Sequence, residues 1–148
     1  YDHLWGALNV IPYMCCVDEF QHRVYDERLN AAERRAVWHE LEREYMPWRD
    51  YDGNEFLSGG GFWMQKQHIF VNPFYYIDYC LASVCAMQFK VMMDEDFEKA
   101  WKNYYKLCNL SARDFFTNVI VEAGLNSPFE DGFMEKLVDK FEKKAFNR

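Results

Sequence analysis

Apolar positions recur at spacings of three and four along most of the chain. Ile11, Met14, Cys15, Val17, Phe20, Val24 and Tyr25 form one such stripe, the period of an amphipathic helix. Pro12 is expected in the first turn of that helix, where its missing N–H costs little. Asn30-Ala31-Ala32-Glu33 reads as a capping box with Asn in place of the more usual Ser or Thr, opening a helix with Val37, Leu41 and Tyr45 on one face. Pro47 closes that helix, and the glycine-rich polar interval from Pro47 to Gly61 divides two helical blocks.

Beyond it, the pattern predicts a short helix from Phe62 to Phe70 and a break at Asn72-Pro73, with Pro73 at or near the first turn of a long helix. From Phe74 to about Met93 the residues are almost continuously apolar or aromatic, so this helix is expected to be central and buried on most sides. Asp94 or Asp96 is placed to cap the next helix, which carries Phe97, Ala100, Trp101, Tyr104, Tyr105 and Cys108. Ser111 with Asp114 forms another plausible cap, and Gly124 is a left-handed stop. Ser127-Pro128 is expected to open a last helix through Phe133, Leu137, Val138 and Phe141, whose cationic end, Lys136 to Lys144, complements its dipole. No segment alternates with period two. The fold class is therefore all-α, and residues 1–148 read as a single helical domain.

Charge and composition narrow the function classes. A net charge of −7 argues against nucleic acid or an anionic membrane as the main partner. Aromatic residues make up 19% of the chain, which excludes disorder and points to a thick core or a large interface. No apolar run approaches the roughly 18 residues of a membrane span, and no charged start with an apolar block marks a signal peptide, so a soluble cytoplasmic protein is expected. Five cysteines, Cys15, Cys16, Cys80, Cys85 and Cys108, form an odd set without C-x-x-C spacing. They read as buried reduced thiols rather than a zinc knuckle or disulfide framework. The chain opens at Tyr1, already inside an element and without an initiator Met, which suggests a piece of a longer polypeptide.

Gly59-Gly60-Gly61 could approach a phosphate, but it lacks the Lys-Ser/Thr of a P-loop and follows no strand, so it reads as a flexible hinge or a close-packing loop. His39-Glu40-Leu41-Glu42-Arg43 begins like a zinc-peptidase helix, yet Arg43 stands where the second His must be. Asp18 and His22 share a helical face, with Glu19 beside them, either as a carboxylate-oriented imidazole or as an ordinary ion pair. His3 is a lone imidazole. The sharpest constellation places His68 just before the Asn72-Pro73 break and Tyr76 and Tyr79 one turn apart after it. Phenols and an imidazole so placed are either core aromatics or hydrogen-bond donors to an oxyanion. Asp78, within the apolar run, needs a structural hydrogen bond if it is buried.

Four blocks occur in one order. They are Val17-Asp18-Glu19-Phe20-Gln21-His22, Pro47-Trp48-Arg49-Asp50-Tyr51-Asp52-Gly53, Gln67-His68-Ile69-Phe70 with Pro73-Phe74-Tyr75-Tyr76-Ile77-Asp78-Tyr79, and Ala123-Gly124-Leu125 with Ser127-Pro128-Phe129. Together they resemble the C-terminal part of the oligoendopeptidase F family, in the thimet-oligopeptidase-like clan of zinc peptidases, over essentially the whole chain. The resemblance implies a C-terminal helical lobe of the catalytic domain of a longer peptidase, with a deep cleft for short peptides. It implies zinc held by an H-E-x-x-H helix and a downstream glutamate, none of which lies in this chain. Metal ligands are thus expected outside these residues, and no cofactor in the fragment itself.

What the resemblance assigns here is the substrate side. His68, Tyr76 and Tyr79 resemble the His and Tyr pair that line the cleft opposite the zinc: Tyr79 or Tyr76 is implied to donate to the tetrahedral oxyanion, His68 to bind the substrate backbone near the scissile bond, and Tyr75 is a weaker match for substrate binding. The implied partners are a short peptide and the upstream part of the same polypeptide, and the fragment alone is expected to be inactive and to self-associate. The Gly59-Gly60-Gly61 loop becomes a segment that could order on peptide binding. The other reading is a non-enzymatic helical module whose aromatic helices pack a core and whose acidic surface recruits a partner.

Overall fold

The structure is a computed structural model in which residues 2–110 and 113–146 are described. Those residues form helices joined by turns and contain no strand, as the helical periodicity predicts. They group into two compact units, residues 2–80 and the residues from 81 onward.

In the first unit, α1 (Asp2–Asp26) begins earlier than the pattern suggests, and Pro12 lies inside it rather than in its first turn. An interior proline forfeits one i→i−4 hydrogen bond and costs about 3 kcal/mol. The next two turns bury Tyr13, Met14, Cys16, Val17 and Phe20. Burial of large apolar side chains at about 1.5–3 kcal/mol each outweighs that cost.

The second helix, α2 (Ala31–Tyr45), starts as predicted. Asn30 Oδ1 accepts from the N–H groups of Ala32 and Glu33 at 2.9 and 3.1 Å, and Glu33 accepts from the Asn30 N–H at 2.7 Å. Val37, Trp38 and Leu41 bury one face, and Trp38 meets Phe20 and Tyr13 edge-on at centroid distances of 5.2 and 6.3 Å. Met46 ends the helix just before Pro47.

The glycine run folds as a π turn, Leu57–Gly61, followed by a 3₁₀ turn, Phe62–Gln65. Gly60 has φ +82°, and a Cβ on it would stand 2.0 Å from the Arg35 carbonyl oxygen. Arg35 Nε also donates to the Gly59 carbonyl at 3.1 Å. Of the two alternatives, the run is a close-packing loop, seated on α2.

The single helix expected from Phe62 to Phe70 is instead broken at Lys66, whose extended backbone separates the 3₁₀ turn from α3 (Gln67–Val71). Nor does Pro73 open the long helix. Asn72 to Tyr75 form a turn closed by the Tyr75 N–H on the Asn72 carbonyl at 3.3 Å, with Phe74 at φ +62°. Proline second and a positive φ third is type II turn geometry. It delays α4 (Ile77–Glu95) to Ile77. Asp78 is exposed, so the buried partner anticipated for it is not required.

In the second unit, α4 buries Val84, Cys85, Met87, Gln88, Phe89 and Val91 and leaves Ala82 and Ala86 exposed. Asp96 caps α5 (Phe97–Leu110), its Oδ1 accepting from the Lys99 N–H at 3.0 Å, while Asp94 pairs with Lys90. The face of α5 differs from expectation: Ala100 is buried, but Phe97, Trp101, Tyr104 and Tyr105 are exposed. Cys108 is exposed with them, so the expectation of buried thiols holds for Cys16, Cys80 and Cys85, with Cys15 half-buried, and fails at Cys108.

Next, α6 (Phe116–Glu122) ends at Gly124, φ +82°, where the Leu125 N–H reaches back to the Ile120 carbonyl at 2.9 Å. Finally, α7 (Phe133–Phe146) starts later than Ser127-Pro128, because Ser127 accepts from the Phe129 and Glu130 N–H groups in a separate turn. Phe133, Leu137 and Phe141 bury one face of it. Ser111, proposed as a cap, and the side chains of His3 and Lys144 lie outside the described residues.

Candidate functional site

Lys66, at the junction of two short helices, immediately precedes α3, and His68 stands in that helix's first turn. The Lys66 N–H donates to the Trp63 carbonyl at 2.9 Å, and the Lys66 carbonyl accepts from the Ile69 N–H at 3.1 Å. The Asn72–Tyr75 turn then brings the chain back, held from α1 by Gln21, whose Oε1 accepts from the Phe74 N–H at 2.9 Å. Tyr75 and Tyr76 leave that turn, and Tyr79 stands in the first turn of α4.

The four residues singled out from the sequence meet in one cluster. Ring centroids lie 4.9 Å apart for His68 and Tyr76, 5.8 Å for His68 and Tyr79, 5.6 Å for Tyr76 and Tyr79, and 5.4 Å for Tyr75 and Tyr79. Tyr75 and Tyr79 are exposed, whereas His68 and Tyr76 are half-buried. Nδ1 of His68 is buried without a hydrogen-bond partner among the described residues. A hydrogen bond with Tyr75 holds the Tyr79 phenol above its ordinary pKa, so the phenol keeps its proton near neutral pH.

Behind this cluster stands a layer whose arrangement the sequence does not predict. Lys66 Nζ donates to the Tyr76 hydroxyl at 3.2 Å and lies 4.6 and 5.1 Å from the ring centroids of Tyr76 and Tyr13. Arg49 follows, 4.5 Å from the Phe62 centroid and 5.3 Å from Tyr13. Its Nη1 is 3.6 Å from the buried carboxylate of Glu42, which also accepts from the Tyr51 hydroxyl. Burial, and next the neighbouring Tyr76, push the Tyr13 phenol up. The only sequence signals for this layer were the Arg49 and Tyr51 positions in the polar interval after Pro47. Cations stacked on rings from three segments have no fixed spacing to betray them.

The remaining candidates do not join the cluster as ligands. His22 Nε2 lies 3.7 Å from Asp18 Oδ2 with His22 mostly exposed, the geometry of an i,i+4 pair. Glu19 accepts from the Tyr45 hydroxyl. His39 and Glu40 are exposed on α2. Among the described residues no three His, Cys, Asp or Glu side chains converge as a metal site, so these residues do not fit a zinc centre. What the cluster can do is donate: phenols and an imidazole offer hydrogen bonds to a peptide carbonyl and to the oxyanion it becomes.

No protein-family profile and no curated relative matches the chain. Two solved structures do. An oligoendopeptidase F structure is 44% identical with a TM-score of 0.91, covering 97% of this chain. A structure of PZ peptidase A with an inhibitor is 44% identical with a TM-score of 0.92, covering 99% of this chain. This chain spans 26% of the length of each, about a quarter of those peptidases.

Proposed function

Because this chain belongs to the oligoendopeptidase F family, we propose that it forms the substrate-binding and oxyanion-stabilising wall of a zinc-dependent peptidase acting on short peptides. The observation that carries this reading is the convergence of His68, Tyr75, Tyr76 and Tyr79 in a chain 44% identical to two peptidases. Zinc belongs to residues outside these 148, which contain no H-E-x-x-H. In this reading the 148 residues alone are inactive.

The roles follow from charge development. As water adds to a peptide carbonyl, its oxygen gains a full negative charge, and donors already aimed at that point strengthen as the charge grows. The Tyr76 hydroxyl accepts from Lys66, which leaves its own proton to donate. Tyr79 is the second donor, its hydroxyl turning from Tyr75 to the oxyanion as the charge develops. His68, packed on both tyrosines, binds the substrate backbone beside them. Partners in this account are the peptide and the rest of the same polypeptide, with neither nucleic acid nor membrane engaged. No described helix is long and apolar enough to cross a membrane; the setting in this reading is cytoplasmic.

The exposed α5 aromatics, with Phe97 at 58% and Tyr105 at 65%, are covered in the complete polypeptide and make the isolated fragment self-associate. The test is hydrolysis of internally quenched short peptides by the full-length polypeptide. Turnover that is abolished by a chelator and restored by zinc supports the peptidase. Peptide binding without turnover in the zinc-loaded polypeptide overturns it in favour of a non-enzymatic interaction module.

A further inference from the structure

We propose that Lys66 is a positioning residue that commits the Tyr76 hydroxyl to donate its proton toward the reacting carbonyl. This rests on the reading of Tyr76 as an oxyanion donor.

A phenol hydroxyl in a cleft can either accept or donate, and a free one divides its time between the two. Here the acceptor side is filled: Lys66 Nζ, which can only donate, lies 3.2 Å from the Tyr76 oxygen. The ammonium is held there by two rings. Its Nζ lies 4.6 and 5.1 Å from the centroids of Tyr76 and Tyr13, which meet edge to face 6.0 Å apart, so it sits at the corner the two rings make. The Lys66 backbone is fixed through its N–H and its carbonyl.

None of the described ion pairs includes Lys66. Its charge is balanced by two ring faces and one phenol oxygen rather than spent on a carboxylate. When the proton of Tyr76 is shared with a developing oxyanion, negative charge moves onto the phenol oxygen, and the ammonium already faces it. Lys66 thereby acts on the reaction through Tyr76 without touching substrate.

The test is a double-mutant cycle in the full-length zinc-loaded peptidase with a short quenched peptide. Lys66→Met, which keeps the aliphatic stem, is expected to lower kcat about tenfold with KM little changed, and Lys66→Arg to recover part of the loss. In a Tyr76→Phe background, Lys66→Met is expected to change kcat less than about twofold. A loss of the same size in that background overturns the proposal, because Lys66 would then act without Tyr76.

The contact has its own readout. In protein labelled with ¹³Cζ-tyrosine, the Tyr76 resonance, assigned by its absence in Tyr76→Phe, shifts in Lys66→Met. An unmoved resonance overturns the contact. An unchanged kcat in Tyr76→Phe overturns the donor reading of Tyr76, and with it any kinetic role of Lys66, even where the resonance has moved.

Discussion

The backbone N–H of Phe74 donates to Oε1 of Gln21 across 2.9 Å, tying the turn that carries Tyr75 and Tyr76 to the fully buried side chain of an α1 residue. Gln21 has no exposed surface, and its Nε2 has no hydrogen-bond partner among the described residues. Gln21→Leu therefore removes one made bond and one unmet donor together, and the net change in overall stability is expected to stay below about 2 kcal/mol. The local effect is larger. Hydrogen exchange of the Phe74 amide should accelerate roughly tenfold or more, since its only described acceptor is gone. Unchanged exchange would show that the turn is held by other means.

Gly60 and Gly53 separate two costs that are usually confounded. Both have positive φ, +82° and +80°, but a Cβ on Gly60 meets the Arg35 carbonyl at 2.0 Å whereas one on Gly53 meets nothing within 4 Å. Gly53→Ala should cost about 1 kcal/mol for the backbone conformation alone. Gly60→Ala should cost at least about 2 kcal/mol more, because backbone must move away from backbone. Urea unfolding of the two variants checks this, and equal costs would contradict the packing of the glycine run on α2.

Burial raises the pKa of Asp18, His22 opposes it, and the nearby Asp78 adds to it. A raised acid binds more protons folded than unfolded, so its contribution to stability falls as pH rises past the usual carboxylate range. Asp18→Asn is therefore expected to gain on the wild type as pH rises from about 4, where a free Asp carboxyl titrates. Paired denaturation curves at rising pH measure the gain. A gap that closes as pH rises would mean that the His22 pairing dominates.

Much of this fold was legible because its signals are local. The capping box at Asn30 and Glu33, the stop at Met46 before Pro47 and the left-handed Gly124 each depend on a few adjacent residues, and each is where the sequence puts it. The failures share a cause. Local pattern makes Pro12, Pro73 and Pro128 helix openers, but Pro12 is carried inside α1 by the burial around it. Pro73 and Pro128 belong to turns that precede their helices, one of them fixed by Gln21, distant in sequence. The site divides in the same way. His68, Tyr75, Tyr76 and Tyr79 lie within one short segment and could be picked out together, whereas Lys66 lacked a pattern that tied it to Tyr13 and Tyr76, and so did Arg49 to Glu42.

Tyr79→Phe in the full-length polypeptide tests the central claim most directly, because it removes one hydroxyl from an exposed position of the cluster while leaving its ring in place. The expected result is a fall in kcat of roughly 10²-fold with zinc content unchanged, the loss of a single oxyanion donor. A kcat equal to that of the wild type would take Tyr79 out of the chemistry and contradict the assignment of this wall to oxyanion stabilisation.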